Sequence, residues 1–162
     1  MKLLISRDTS DVYSRFVVYD ENENLLYSIN GKDNTAVKKI KAFTPEGKCV
    51  LKISATPEIG STIGYNIITP EGAFALTVRL KPDELCLKIL GTKLFFRGNL
   101  ITRSFEITDV SAKALAFHKP EAGKSGRYVL EVIDEAQVFS LLAISICADL
   151  ISFSDSAYVC RA

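Results

Sequence analysis

The sequence predicts a mainly β protein of the α+β class, in which about 12 antiparallel strands close into a barrel around a central hydrophobic C-terminal helix. Three observations support this prediction. Short segments alternate between apolar and polar residues, a turn motif recurs at regular spacing, and the segment near residues 135–153 is apolar on almost every side. We expect residues 1–162 to form a single domain, because this length suits one core.

Alternation of apolar and polar residues indicates the strands. It is clearest in residues 74–81, where one face would carry Phe74, Leu76, Val78 and Leu80. Residues 49–53, 85–89 and 128–132 follow the same pattern. A set of strands that each have one apolar face must form a sandwich or close into a barrel.

A short acidic or proline-containing turn separates successive apolar segments. Aligned on its Asp or Pro, the turn begins at Asp20, Pro45, Pro70, Asp109 and Asp134, at spacings of 25, 25, 39 and 25 residues. Pro presets φ for the first corner, and the Gly that follows in two copies supplies a positive φ. The longer gap has room for one more hairpin, around residues 94–99, which gives ten to twelve strands in all.

The last turn leads into the helix predicted at about residues 135–153. Asp134 suits the N-cap, and Gln137 completes a start that resembles a capping box. Ser145, Asp149 and Ser152 form one narrow polar stripe, with spacings of four and three residues. We expect this stripe to have a structural role, in which Asp149 accepts hydrogen bonds from loop or barrel-end backbone. The alternative is that Asp149 is a functional polar group at the mouth of the barrel.

A transmembrane span is the main alternative for this segment. The apolar run from Val138 to Phe153 would be about 24 Å long as a helix, short of the roughly 30 Å hydrocarbon core of a bilayer. Asp149 also opposes insertion. A barrel of about twelve strands has room for one helix, so we expect the helix to fill the barrel and to leave no large internal cavity.

The ordered set of residues 16–22 (FVVYDEN), 105–109 (FEITD) and 145–149 (SICAD) resembles that of the tubby C-terminal domain-like superfamily. Within it, the chain is similar to the LURP-one-related family, which is related to phospholipid scramblases. The resemblance implies a barrel threaded by a C-terminal helix, and anionic phospholipid (phosphoinositide) headgroups as ligands of basic surface residues. The chain shows neither the cysteine cluster nor the calcium-binding segment of scramblases, so scramblase activity is not expected.

Composition argues against several other functions. The net charge of +1 indicates no global field directed at nucleic acid or at a membrane. Four cysteines without a CxxC pair indicate a reducing, cytoplasmic setting. His118 is the single histidine, expected on an outward strand face with Ala114 and Ala116, so a histidine metal site or a Ser-His-Asp triad is not expected. We predict no catalytic residue, metal or cofactor.

The charge distribution is uneven, because residues 32–103 carry 12 Lys and Arg against 6 Asp and Glu. If neighbouring strands align these cations, they form a basic face for phosphate groups; otherwise they are ordinary solvated charges that discourage edge-to-edge pairing. The sequence thus predicts a non-enzymatic binding or scaffold domain, peripheral to a membrane, with a protein-interaction module as the alternative. The candidate ligand-binding residues are Lys38, Lys39, Lys41, Lys52, Arg79, Lys81, Arg97 and Arg103.

Overall fold

The computed structural model describes residues 1–8, 15–34, 37–59, 62–81 and 84–159. These residues form twelve strands, one short 3-10 turn and one α-helix. The strands are β1 (Lys2–Asp8), β2 (Arg15–Tyr19), β3 (Leu25–Asn34), β4 (Val37–Phe43), β5 (Cys49–Ile59), β6 (Thr62–Thr69), β7 (Gly72–Lys81), β8 (Glu84–Leu90), β9 (Phe95–Asn99), β10 (Ser104–Thr108), β11 (Ala114–Pro120) and β12 (Arg127–Val132).

All twelve strands belong to one antiparallel sheet, in the order β8-β7-β6-β5-β4-β3-β2-β1-β12-β11-β10-β9. Pairing of β1 with β12 joins the two ends of the chain, so the sheet curls round on itself. The edge strands β8 and β9 come close to each other without forming a ladder. The predicted fold class is therefore confirmed, with a barrel that is nearly rather than fully closed.

The recurring turns all lie at one end of the barrel, which we call the turn end. Alternate connections of consecutive antiparallel strands lie on the same side of a sheet, and the turns at Asp20, Pro45, Pro70 and Asp109 follow every second strand. Asp20 and Asp109 build the same local structure, since each Oδ1 accepts N–H bonds from the residues two and four positions later, at 2.8–3.0 Å. The long gap contains the extra hairpin, β9–β10, as predicted.

The chain enters the barrel at the turn end. Glu135–Gln137 form a 3-10 turn, and α1 follows at Val138–Val159. The predicted cap is present, because Asp134 Oδ1 accepts the N–H of Ala136 at 3.2 Å. The helix ends later than predicted, continuing past Phe153 through a more polar segment. Residues 140–150 are all buried, which places the helix inside the barrel as its core.

A second cap, which the sequence did not predict, joins the helix to the barrel wall. Glu71, in the turn between β6 and β7, accepts the N–H of Phe139 through Oε1 at 3.0 Å. Its Oε2 accepts both the N–H and the hydroxyl of Ser140, each at 2.9 Å. A carboxylate at this position satisfies helix N–H groups that have no partner within the helix, and it complements the helix dipole.

The predicted orientation of His118 is wrong. His118 and Ala116 are buried, with 4% and 0% of their surface exposed, and they face the interior. The cause is a β-bulge between β10 and β11, where Ile107 pairs with Ala116 but Thr108 pairs with Ala114. The extra residue, Leu115, reverses the alternation of side chains along the strand.

Candidate functional site

Three of the predicted basic residues meet on the outer wall of the barrel. Lys41 on β4 and Lys52 on β5 are directly opposite each other in the strand register, and Lys39 lies two residues from Lys41 on the same face of β4. All three are exposed, because the intervening residues point inward into the core. Directly opposed residues have Cβ atoms about 4.5–5.5 Å apart. We call Lys39, Lys41 and Lys52 the lysine patch.

Among the side chains that the structure describes, no carboxylate is paired with the lysine patch. None of the ion pairs within the described ranges involves its residues. Its neighbours in the strand register are neutral or cationic: Asn30 pairs with Lys41, Ser54 with Lys39, and Ile68 with Lys52. On β3, Lys32 pairs with Lys39. Like charges directly opposite each other destabilise a sheet. The patch is thus a concentration of positive charge on the outer wall of the barrel.

The other predicted basic residues lie elsewhere or are not described. Arg97 is on β9, opposite Glu106, with Nε and Oε1 3.9 Å apart, so its charge is partly offset. Arg103 precedes β10 and contacts the central helix. Lys38 belongs to β4, and Arg79 and Lys81 belong to β7, but the side chains of these three fall outside the described residues.

Arg103 takes part in the second polar arrangement, which holds the helix. The carboxylate of Asp149 is buried between Arg7 Nη1, 3.4 Å from Oδ2, and Arg103 Nη1, 3.3 Å from Oδ1. Each guanidinium also lies over an aromatic ring, Arg7 over Phe16 at 5.3 Å and Arg103 over Tyr128 at 5.2 Å. The partners of Asp149 are therefore two cations, and not the backbone groups expected from the sequence.

Burial dominates the electrostatics of this group. Desolvation raises the pKa of Asp149 even though Arg103 and Arg7 favour its charged form. Desolvation likewise lowers the pKa of Arg7 against the attraction of the carboxylate. Ser145, on the same stripe, donates to Leu141 O within the helix at 2.9 Å. The side chain of Ser152 is not among those described.

The environment of His118 is that of a structural residue. Its ring stacks between those of Phe105 and Tyr128, with centroid distances of 4.3 and 5.2 Å. Burial lowers its pKa to about 4, so the imidazole is neutral at pH 7. Its Nδ1 lies 2.7 Å from Arg103 O, a pure acceptor, which assigns the proton to Nδ1.

Two further features bear on function. A shallow groove of about 490 Å³ crosses the outer faces of β9, β10 and β11, and it is lined in part by Arg97, Glu106, Phe117 and Lys119. Its charges are of both signs, unlike those of the lysine patch. Across the described ranges, no three His, Cys, Asp or Glu residues are grouped as metal ligands. Nor does any helix there combine the length and apolarity needed to cross a bilayer.

Comparisons with known proteins give one informative match. No protein-family model matches the chain, and no curated protein matches it significantly. A protein from Arabidopsis thaliana, known from an X-ray structure, is 17% identical and superposes with a TM-score of 0.54 over 91% of both chains. At this identity the likeness is one of fold, and it supports the barrel with a C-terminal helix.

Proposed function

We propose that this protein is a non-enzymatic, cytoplasmic module that binds anionic phospholipid headgroups at a membrane surface through the lysine patch. In this proposal it belongs with the LURP-one-related, tubby-like proteins that the sequence resembles. The observation that carries the proposal is the direct opposition of Lys41 and Lys52, with Lys39 beside them, on a wall without offsetting carboxylates in its described part.

The chemistry of the patch suits phosphate groups. Lysine ammonium groups form charge-assisted hydrogen bonds with phosphate oxygens, and they act as point charges without the planar fork of arginine. The patch should therefore respond to the charge density of a headgroup more than to its stereochemistry. Each lysine near an anionic surface contributes about 1 kcal/mol, so three contribute about 3 kcal/mol, or roughly 150-fold in affinity. A multiply charged phosphoinositide is the preferred ligand on this account.

Vesicle binding with charge-matched variants tests the proposal. Purified protein is sedimented with neutral phosphatidylcholine vesicles and with vesicles that also contain phosphoinositide, at low and high salt. The patch variant carries Lys39→Glu, Lys41→Glu and Lys52→Glu. The control variant has the same change in net charge on the opposite half of the barrel, through substitution of the exposed residues Lys2→Glu, Lys113→Glu and Lys119→Glu.

The expected result is salt-sensitive binding of the wild type and the control variant to phosphoinositide vesicles, with binding lost in the patch variant. Equal loss in both variants would mean that overall charge, and not the patch, determines binding. Absence of wild-type binding to any anionic vesicle would overturn the proposal and favour the alternative, a protein-interaction module.

A further inference from the structure

An apolar strip adjoins the lysine patch on the same outer wall. We define the apolar strip as the outward residues Ile68, Ala73, Ala75 and Leu90, on β6, β7 and β8. Ile68 is 57% exposed and Leu90 is 41% exposed, high values for large aliphatic side chains. The register makes the strip continuous, because Ile68 pairs with Ala73, and Ala75 pairs with Leu90. Three strands span about 10 Å.

Lysines border this strip on both sides. Lys52 is the direct cross-strand neighbour of Ile68 on one side. At the β8 edge of the strip, Lys88 is exposed on the same outward face as Leu90, two residues before it, and Lys93 is exposed in the turn that follows. Outward positions of β4–β8 whose side chains are described carry no Asp or Glu. The described outer face of β4–β8 thus combines exposed apolar side chains with charged side chains that are all positive.

We propose that the apolar strip inserts into the interfacial region of an anionic bilayer while the flanking lysines contact its headgroups. This inference rests on the proposed function and adds to it the face and depth of contact. Interfacial proteins bury apolar side chains about 5–10 Å into the boundary of headgroups and acyl chains, and they add electrostatic attraction to anionic lipid. Lysines beside the inserted residues reach outward to the headgroups along their aliphatic stems.

Charge complementarity identifies an anionic lipid surface as the occupant. The lysines on both borders of the strip require a partner that presents negative charge on either side of an apolar centre. An anionic bilayer meets this requirement at every lateral position, because its headgroups surround an accessible acyl region. The apolar strip is narrow, and the outer surface of the barrel is convex, so only its few side chains would reach below the headgroups.

A tryptophan probe measures insertion directly. The chain contains no Trp, so Ile68→Trp introduces a single emitter without background. Binding to phosphoinositide vesicles is expected to shift its emission to the blue, and lipids brominated on their acyl chains should quench it. The matched control is Ile101→Trp. Ile101 is 77% exposed in the turn between β9 and β10, at the end of the barrel opposite the turn end. That probe should show neither a shift nor quenching.

A second variant separates this inference from the proposed function. In Ile68→Ser, Leu90→Ser, both exposed positions become polar without a change in the core, and folding is checked by circular dichroism. The vesicle partition coefficient is expected to fall roughly tenfold or more, while binding of soluble inositol trisphosphate is unchanged. The patch variant should lose both.

The outcomes distinguish failure of the proposed function from failure of membrane insertion alone. If the wild type binds neither vesicles nor inositol trisphosphate, the proposed function fails, and the inference fails with it. If the wild type binds both, but the emission of the Ile68→Trp variant is unquenched and the serine variant partitions normally, the insertion inference alone is overturned. Blue-shifted emission that requires a protein partner and not vesicles would also overturn it, in favour of a protein interface.

Discussion

The cap that Glu71 supplies to the central helix can be tested through stability. Glu71→Ala removes the acceptors for the N–H groups of Phe139 and Ser140 and for the Ser140 hydroxyl. Loss of a helix cap costs about 0.5–2 kcal/mol, and loss of a negative charge at a helix N-terminus adds about 0.3–1 kcal/mol. We therefore expect the free energy of unfolding to fall by about 2 kcal/mol. For a chain of this size, Tm should fall by about 4–8 °C.

The chain offers a matched control for this substitution. Glu46 occupies the same position in Thr44-Pro45-Glu46-Gly47 as Glu71 does in Thr69-Pro70-Glu71-Gly72. Glu46 is exposed, and no hydrogen bond in the described structure involves its carboxylate. In urea unfolding, Glu71→Ala should show the full decrease in the free energy of unfolding, and Glu71→Gln about half of it. Glu46→Ala should show no measurable change. Equal midpoints for Glu71→Ala and Glu46→Ala would refute the reasoning.

Two further predictions concern the buried polar groups. Asp149→Ala removes the buried counter-charge of Arg7 and Arg103 and should lower the free energy of unfolding, measured in urea, by roughly 3–5 kcal/mol. Ser145→Ala removes only a hydrogen bond within the helix and should lower it by less than about 1 kcal/mol. Equal decreases for the two variants would contradict the anchoring role of the arginines. Burial lowers the pKa of His118 from 6.5 to about 4. Between these pH values His118 is protonated in the unfolded state but neutral in the native state. The free energy of unfolding should therefore fall by about 1.4 kcal/mol per pH unit as the pH is lowered through this range. His118→Asn should show a correspondingly weaker pH dependence, and identical pH profiles would rule out this contribution.

Local sequence information was sufficient to predict the architecture. Period-two alternation indicates strands wherever one face is buried. The spacing of the recurring turns between Asp20 and Asp134 then indicates how many pairs of strands lie between them. The uniformly apolar helix then requires an enclosure, which a barrel of about twelve strands provides. The later end of the helix was missed because residues beyond Phe153 no longer form an apolar run, although the backbone remains helical to Val159.

Contacts between distant parts of the chain were not predictable in the same way. Glu71 is 68 residues from Phe139, and nothing local distinguishes its turn from that of Glu46. Arg7 is 142 residues from Asp149, and the sequence shows only a cation near the end of a strand. The bulge that turns His118 inward leaves no mark in the residue pattern.

The candidate site illustrates the same limit. The excess of cations in residues 32–103 was visible, but strand register decides which of them meet. Register places Lys41 opposite Lys52, and it places Arg97 opposite Glu106. Arg103 contacts the helix instead of the outer wall, since its guanidinium lies 3.3 Å from the Asp149 carboxylate.

Lysine footprinting of the wild-type protein tests the central claim, that the lysine patch contacts anionic lipid. The rate of acetylation of each lysine is measured by mass spectrometry with and without phosphoinositide vesicles. We expect slower labelling of Lys39, Lys41 and Lys52 in the presence of vesicles. Labelling of the control lysines Lys2, Lys113 and Lys119 should be unchanged. Protection of the control lysines with unchanged labelling of the patch, or no protection anywhere, would contradict the account.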